Sequence, residues 1–154
     1  MGRMYTTEVN AVAVTAIQDF FEVNAPADGV VIIHSAFIGQ TSDAGDAAAE
    51  ILSVQISRTD NSVAGSGGSV VTARPHEVGD AAFGGTTEVN NTTQTTVTTE
   101  LRSEAFNVQA GWFYQPAPSE RIVISPSGTV VVEITAPADS LTMHGSITFE
   151  EIGG

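Results

Sequence analysis

The C-terminal part of the chain alternates so regularly that it reads as an antiparallel β-ladder. The strand Arg121-Ile122-Val123-Ile124 precedes the turn Ser125-Pro126-Ser127-Gly128. The apolar run Thr129 to Thr135 follows, and then the turn Ala136-Pro137-Ala138-Asp139. In the closing strand, Leu141, Met143, Ile147 and Phe149 fall on one face. Thr142, His144, Ser146, Thr148 and Glu150 fall on the other. Side chains on a strand point to opposite sides in succession, so this segment has one dry face and one wet face.

The same pattern runs upstream. Val9 to Ile17 predicts a strand with Val12, Val14 and Ala16 on one face, and Phe20 to Val23 continues it past a kink at Gln18-Asp19. Ala25-Pro26-Ala27-Asp28-Gly29 is a turn, because proline presets one dihedral and glycine accepts a positive one. Val30 to Ile38 is the most hydrophobic segment, with Val31, Ile33 and Phe37 on one face and Ile32, Ala36 and Ile38 on the other. Apolar residues on both faces predict a central strand, or one with a face covered by another subunit. Gln40 to Asp46 is a polar loop, and Ala47 to Glu50 offers one helical turn, too short to nucleate by itself. Ile51 to Arg58 is a strand with Leu52, Val54 and Ile56 inward, and Leu101 to Val108 is another, with a bulge near Ala105. Gly111-Trp112-Phe113-Tyr114 holds three of the ten aromatic residues, with Trp112 and Tyr114 on one side and Phe113 on the other.

About eight strands result, with no helix of ordinary length. Their number and spacing predict an all-β, antiparallel two-sheet sandwich, jelly-roll-like. Residues 1–154 form one domain, with an N-terminal segment over residues 1–8 and a polar, loop-rich insert over residues 59–99. That insert is rich in Gly, Ser, Thr and Asn. Within it, Ala64 to Ser69 reads as a flexible linker, Val70 to Arg74 as a short strand, Pro75 to Gly85 as irregular chain and Thr92 to Thr99 as β-prone but poor in core residues. A weakly patterned segment of this length is expected to reach outward to a partner or to lack fixed order. Ala-Pro-Ala-Asp occurs twice, at 25–28 and 136–139. The recurrence reads as two similar turns, or as two turns at one end of the sandwich.

Charge narrows the functions. Eighteen acids face five arginines and no lysine, for a net charge of −13. Nucleic-acid and anionic-membrane binding are therefore not expected, since phosphate contacts need clustered cations. The acidity reads as solubility through self-repulsion or as adaptation to a saline habitat. With no cysteine there are no disulfides, thiolate chemistry or cysteine-based zinc sites. No apolar run approaches the roughly 20 residues of a transmembrane helix. Glu8 and Asp19 flank the apolar stretch Ala11 to Ile17, so no signal peptide is expected.

The chain holds few patterns that carry chemistry. His34, His76 and His144 are too scattered for the paired histidines of a cupin-type metal site. His34 reads as a hydrogen-bonded structural residue, and His144 and His76 as surface residues. No GxSxG nucleophile elbow is present. Gly65-Ser66-Gly67-Gly68-Ser69 imitates a nucleotide loop, but no lysine follows it. Asp43, Asp46 and Glu50 could offer oxygens to calcium, but miss the EF-hand spacing. Trp112, Phe113 and Tyr114 read as core, as interface anchors or as a carbohydrate platform. No catalytic, cofactor-binding or metal-binding residue is assigned.

Two blocks carry a family resemblance. EVNAVAVTAIQDFFEVNAPADGVVIIHSAFIGQTSDAGDAAAEILSVQISR resembles the start of small tailed-bacteriophage virion proteins. EAFNVQAGWFYQPAPSERIVISPSGTVVVEITAPADSLTMHGSITFEE is similar to their C-terminal half. The family is that of head decoration, or cement, proteins. The resemblance implies a jelly-roll-like fold and a non-enzymatic role on the outer capsid surface of a virion. It also implies synthesis in the host cytoplasm and two partners: the major capsid protein, and self-association into a homotrimer in preference to a homodimer. It transfers no catalytic residue and no cofactor.

The alternatives are a glycan- or receptor-binding head domain of a fibre or spike, stacking sugars on Trp112 or Tyr114, and a β-sandwich hydrolase. Arg3, Arg58, Arg74, Arg102 and Arg121 are the cations available to pair with acids on a partner. Arg3, Tyr5, Arg74, Trp112 and Tyr114 are the candidate capsid or subunit contacts, with Met1 to Glu8 and Arg74 foremost.

Overall fold

The computed structural model describes residues 2–42, 50–59, 64–96 and 98–153. Within them run twelve strands. These are β1 (Arg3–Val14), β2 (Gln18–Asn24), β3 (Gly29–Gln40), β4 (Ile51–Thr59), β5 (Ser69–Val70) and β6 (Arg74–Pro75). Then come β7 (Thr86–Asn91), β8 (Thr99–Asn107), β9 (Trp112–Tyr114), β10 (Val123–Ile124), β11 (Thr129–Ile134) and β12 (Leu141–Gly153). One 3-10 turn, Pro118–Glu120, is the sole helical element among the described residues.

The strands form two antiparallel sheets of six. The first runs β10-β3-β12-β1-β6, with β9 also pairing β3, and the second runs β5-β7-β2-β11-β4-β8. Without the insert strands the orders are β1-β12-β3 followed by the β9/β10 edge, and β2-β11-β4-β8. This is the interleaving of a jelly roll, in which consecutive strands switch between facing sheets except at the β4–β8 pair. The expected class holds, but the count is twelve rather than about eight. The insert adds β5, β6 and β7, and the edge beside β3 is split into β9 and β10. Of these, β5, β9 and β10 fall on segments read as strands from the sequence, whereas β7 lies in a stretch between the irregular and threonine-rich segments that carried no strand reading.

The core lies between the sheets. Tyr5, Val9, Val31, Ile33, Ile38, Met143, Ile147 and Phe149 of the first sheet meet Phe21, Val23, Leu52, Val54, Ile56, Val130, Val132 and Ile134 of the second. The predicted dry face of β12 is buried throughout, and its wet face is partly exposed. Gly145 stands where the alternation calls for an apolar side chain. A Cβ there would come 2.6 Å from Phe20 and 3.0 Å from Phe21, so the two rings of the facing sheet occupy that space. The rings meet edge to face at 5.0 Å.

Several expectations change for reasons of register. Residues 3–8 do not stand apart from the sandwich: they are the first half of β1, paired with β12 from Arg3↔Glu151 to Glu8↔Ser146. The strand ends at Val14, leaving Ala16 exposed, and a bulge between Val9 and Val12 places Ala11 at φ 54°. Phe20 to Val23 does not continue β1, because β2 belongs to the other sheet. In β3, Phe149 pairs with Ile33 and Thr148 with Ser35, so His34 is an extra residue. That bulge moves the buried set from Val31 and Ile33 to Ala36 and Ile38, and it turns Phe37 outward. The bulge in β8 is at Leu101, not Ala105, since Ile56 pairs with Arg102 and Ser57 with Glu100.

The two Ala-Pro-Ala-Asp turns lie at opposite ends of the sandwich. Each leads from the second sheet to the first, but β2 and β11 run antiparallel, with Asn24 opposite Thr129. Residues 43–49, which hold the predicted helical turn and most of the Gln40 to Asp46 loop, lie outside the described residues.

Candidate functional site

The two outward sheet faces differ in what covers them. On the second sheet, Glu22 lies between the core residues Phe21 and Val23 and therefore points away from the core. Val131 pairs with it on β11 and also points outward, yet both are buried. The covering comes from the insert. Glu22 Oε2 accepts hydrogen bonds from Gly65 N at 3.0 Å, Thr95 Oγ1 at 2.8 Å and Asn91 Nδ2 at 3.2 Å. Its Oε1 accepts one from Asn24 Nδ2 at 3.1 Å. Thr95 N donates to Asp19 Oδ2 at 2.6 Å.

The Gly65 to Ser69 stretch is thus not a free linker. Ser66 and Thr93 exchange backbone hydrogen bonds at 2.9 and 3.0 Å, and Gly68 N donates to Asn91 Oδ1 at 3.2 Å. Burial pushes the Asp19 carboxyl above its usual range, against the lowering effect of the Thr95 bonds. Burial, with the nearby Asp19, raises Glu133 as well. Glu22 and Asp19 act as hydrogen-bond acceptors that hold the insert to β2. Sequence reading took Asp19 for a kink and left Glu22 unremarked. The available signal was a carboxylate inside an otherwise apolar strand.

Among the described residues, nothing covers the first sheet's outward face in this way. Three rows cross it. Phe113, Phe37, Ser146 and Glu8 stand side by side, as do Val123, Ile32, Glu150 and Met4, and also Ser35, Thr148, Thr6 and Arg74. Phe113 is 59% exposed, Val123 55%, Ile152 45% and Phe37 41%. The Phe37 ring leans over Gly39, where a Cβ would come 2.9 Å from its Cζ.

The three histidines are tied to this face. His34 Nε2 lies 3.1 Å from Glu150 Oε2, as a hydrogen-bonded strand histidine should. His144 Nε2 lies 3.1 Å from Thr41 Oγ1, and His76 Nε2 lies 2.7 Å from Thr6 Oγ1. No group of three His, Asp or Glu is placed to hold a metal among the described residues. The Asp43 and Asp46 of the calcium reading lie outside them.

The structure does not bring the five candidate contact residues together. Arg3, Tyr5 and Arg74 lie at the β1–β6 edge, and Trp112 and Tyr114 lie at the opposite edge of the same sheet. Arg3 pairs with the buried Glu151 at 3.2 Å. Tyr5 is fully buried, its hydroxyl 2.9 Å from Ala81 O and 3.1 Å from Glu151 Oε2. Burial, and then the bond to Glu151, pushes its phenol upward. Arg74 is exposed, 3.7 Å from Glu8.

Trp112 and Tyr114 share one side, as their alternation predicts, but that side faces the core, where the rings stack at 6.1 Å, so they are not the surface contacts expected of them and neither offers the open platform of the glycan-binding alternative. Trp112 Nε1 donates to Glu104 at 2.9 Å, and the Arg102 guanidinium lies 5.4 Å from the Tyr114 ring centre. Arg102, then Trp112, holds the Glu104 carboxyl below its usual range. The exposed aromatics, Phe37 and Phe113, were absent from the predicted contacts. The bulge that turns Phe37 outward leaves no compositional mark.

Two clefts among the described residues are small. One lined by Arg102, Glu104, Phe113, Tyr114 and Glu120 measures about 200 Å³, and one lined by Val70, Val71, Ala73 and Phe83 about 160 Å³. Both fall below the roughly 300–1,000 Å³ of small-molecule sites. No protein-family model matches the chain, and no curated protein matches it.

Proposed function

We propose that this chain is a non-enzymatic virion structural protein, a decoration or cement protein of a tailed-bacteriophage head. It binds the outer capsid surface through the major capsid protein and stabilises the shell. The observation that carries this reading is the resemblance of the two sequence blocks. Those blocks, residues 8–58 and 104–151, supply the central strands of both sheets, β1, β12 and β3 in one and β2, β11 and β4 in the other. The likeness therefore falls on the framework of the fold, and the insert adds one edge to each sheet, β6 to the first and β5 with β7 to the second.

The physics supports the same role. A rigid sandwich presents a contact at low ordering cost. Repetition over a symmetric shell turns a modest contact into firm net attachment. Clefts of about 160–200 Å³ suit surface recognition better than turnover of a small substrate. The receptor-binding alternative is weaker, since Trp112 and Tyr114 are buried.

The test is addition of purified protein to expanded shells that lack it. Saturable binding in hundreds of copies per particle is the expected result. No binding at concentrations that saturate related shells would overturn the reading. A few copies per particle, together with a positive glycan array, would favour the alternative.

A further inference from the structure

We propose that residues 64–68 and 92–96 form a strap on β2 whose closure is coupled to protons held by the carboxylates at its seat, tight in acid and looser toward neutral pH. The two pieces act as one unit, since Ser66 and Thr93 exchange backbone hydrogen bonds at 2.9 and 3.0 Å. Thr95 is the fastening point. Its N–H donates to Asp19 Oδ2 at 2.6 Å and its hydroxyl to Glu22 Oε2 at 2.8 Å, so two acids of β2 grip one threonine. Gly65 N donates to the same Glu22 oxygen at 3.0 Å, and Gln94 Nε2 to Ile17 O at 2.7 Å.

The charged groups at this seat are all acids. Glu133 on β11 is the cross-strand partner of Asp19, and it points outward from between the core residues Val132 and Ile134. Cross-strand partners stand about 5 Å apart at Cβ, where like charges repel. Glu88 on β7 is the cross-strand partner of Glu22. The other cross-strand neighbours are neutral: Asn91 of β7 opposite Asp19, Val131 of β11 opposite Glu22 and Gln55 of β4 opposite Glu133. The five arginines sit elsewhere. Arg3, Arg74 and Arg102 lie against Glu151, Glu8 and Glu104. Arg58 stands across from Val130 and Thr99, and Arg121 precedes β10 of the first sheet.

The acids of the seat differ in their support. Glu22 is met by donors from Gly65, Thr95, Asn91 and Asn24. Asp19 takes its hydrogen bonds from Thr95 of the strap, and burial outweighs them, pushing its carboxyl above the usual range. Burial, and then Asp19, pushes Glu133 the same way. With the strap closed, an ionised Asp19 is desolvated and faces two further acids. With the strap open, water replaces Thr95 and solvates the charge. Ionisation therefore favours the open form and protonation the closed one. Closure is at full strength below the open-state pKa, where Asp19 and Glu133 are neutral in both forms. It weakens as pH rises through the closed-state value. Each proton released on opening raises the opening constant by up to about tenfold per pH unit.

The coupling is internal to one chain and independent of shell binding. Its test is amide hydrogen exchange of the full chain from about pH 4, near the usual aspartate value, to about pH 7, corrected for the intrinsic exchange rate. The Gly65 and Thr95 amides should be at least about tenfold less protected than those of β11 throughout, because the strap opens without the sheet. Their protection should fall by a further tenfold or so toward neutral pH. Asp19→Asn keeps an acceptor for Thr95 N and should flatten that fall. Glu133→Gln should reduce it without freeing the strap in acid. Thr95→Val, which loses the hydroxyl bond to Glu22, should loosen the strap at every pH.

Protection of Gly65 and Thr95 equal to that of β11 would overturn the proposal, since the strap would then open only with the whole fold. So would protection that stays level or rises with pH, or a fall that survives Asp19→Asn. Should Asp19→Asn lose its β-sheet far-ultraviolet spectrum, Glu133→Gln carries the same comparison, and an undiminished fall in that variant overturns the coupling.

Discussion

The second sheet buries the β2–β11 part of its outward face, whereas the first sheet's outward face is open among the described residues. Both faces hold apolar and polar groups, but their surroundings give them different energetic roles. Val131 points outward on β11 and is as buried as the core, beside Glu22, whose carboxylate holds Gly65 and Thr95 of the insert. Phe113 points outward on β9 and is 59% exposed. Burial of the first kind is won on folding, so mutations there should change stability at any concentration. Burial of the second kind is available only on association, so mutations there should act through concentration.

The largest expected break in this comparison is at Glu22. Replacing it with Ala leaves the buried Thr95 hydroxyl without its acceptor and removes one of two acceptors from the Gly65 N–H, which keeps Thr95 Oγ1, and from the Asn91 amide, which keeps Glu88. Unsatisfied buried donors cost about 1–3 kcal/mol each, partly offset by not burying a charge. A net loss of about 3 kcal/mol is expected in denaturant unfolding, with new proteolysis within residues 64–69. An unchanged midpoint would mean that Glu22 does not hold the cover. Val131→Ala should cost about 2 kcal/mol, a core-sized loss at an outward position. A loss under about 0.5 kcal/mol, the usual surface value, would show that the cover packs loosely.

How these faces arise was only partly legible in the sequence. The alternation of Leu141 to Glu150 gave the dry and wet sides of β12 correctly, because a strand without a bulge keeps its phase. The pairing of Trp112 with Tyr114 against Phe113 was legible for the same reason. At His34 the phase slips by one residue, and the slip is defined by pairing with β12, more than a hundred residues away. Local periodicity holds no trace of it, so Phe37 was assigned to the wrong side. The insert failed differently. Its Gly, Thr and Asn composition reads as loop, but Gly65 and Thr95 are fixed by a carboxylate on β2. Sequence showed both halves of that contact without showing that they meet.

Titration should separate the covered carboxylates from the exposed edge. Asp19 has its folded pKa raised by burial. Below its unfolded pKa it is neutral in both states, and its contribution to stability is intact. As pH rises through the window between the unfolded and folded values, the unfolded chain loses its proton first, and stability falls. Asp19→Asn keeps an acceptor for Thr95 N and removes that decline. Its melting temperature relative to wild type should therefore be more favourable at neutral pH than in acid. Glu104, on the β8 edge, has its pKa lowered by Arg102 and Trp112, so its sign is opposite. It contributes above its unfolded pKa and loses that contribution as pH falls through the folded value. Glu104→Gln should thus lose more stability at neutral pH than in acid. The same sign for both variants would break the distinction.

The smallest effect, and the one that bears most directly on the bare face, belongs to Phe113→Ser. In the isolated chain this ring sits beside Phe37 and is mostly exposed, so its removal should change unfolding free energy by less than about 0.5 kcal/mol. If a partner docks on the face, the wild type gains stability from it and the variant does not, so a gap in melting temperature then opens as the partner's concentration rises. Dilution should close it. Glu22→Ala should show the reverse behaviour, a gap of constant size across the same series, because its lost contacts all lie within one chain. If the Phe113 gap persists on dilution, the ring supports its own fold, and the contrast between a face closed by folding and a face closed by association no longer holds.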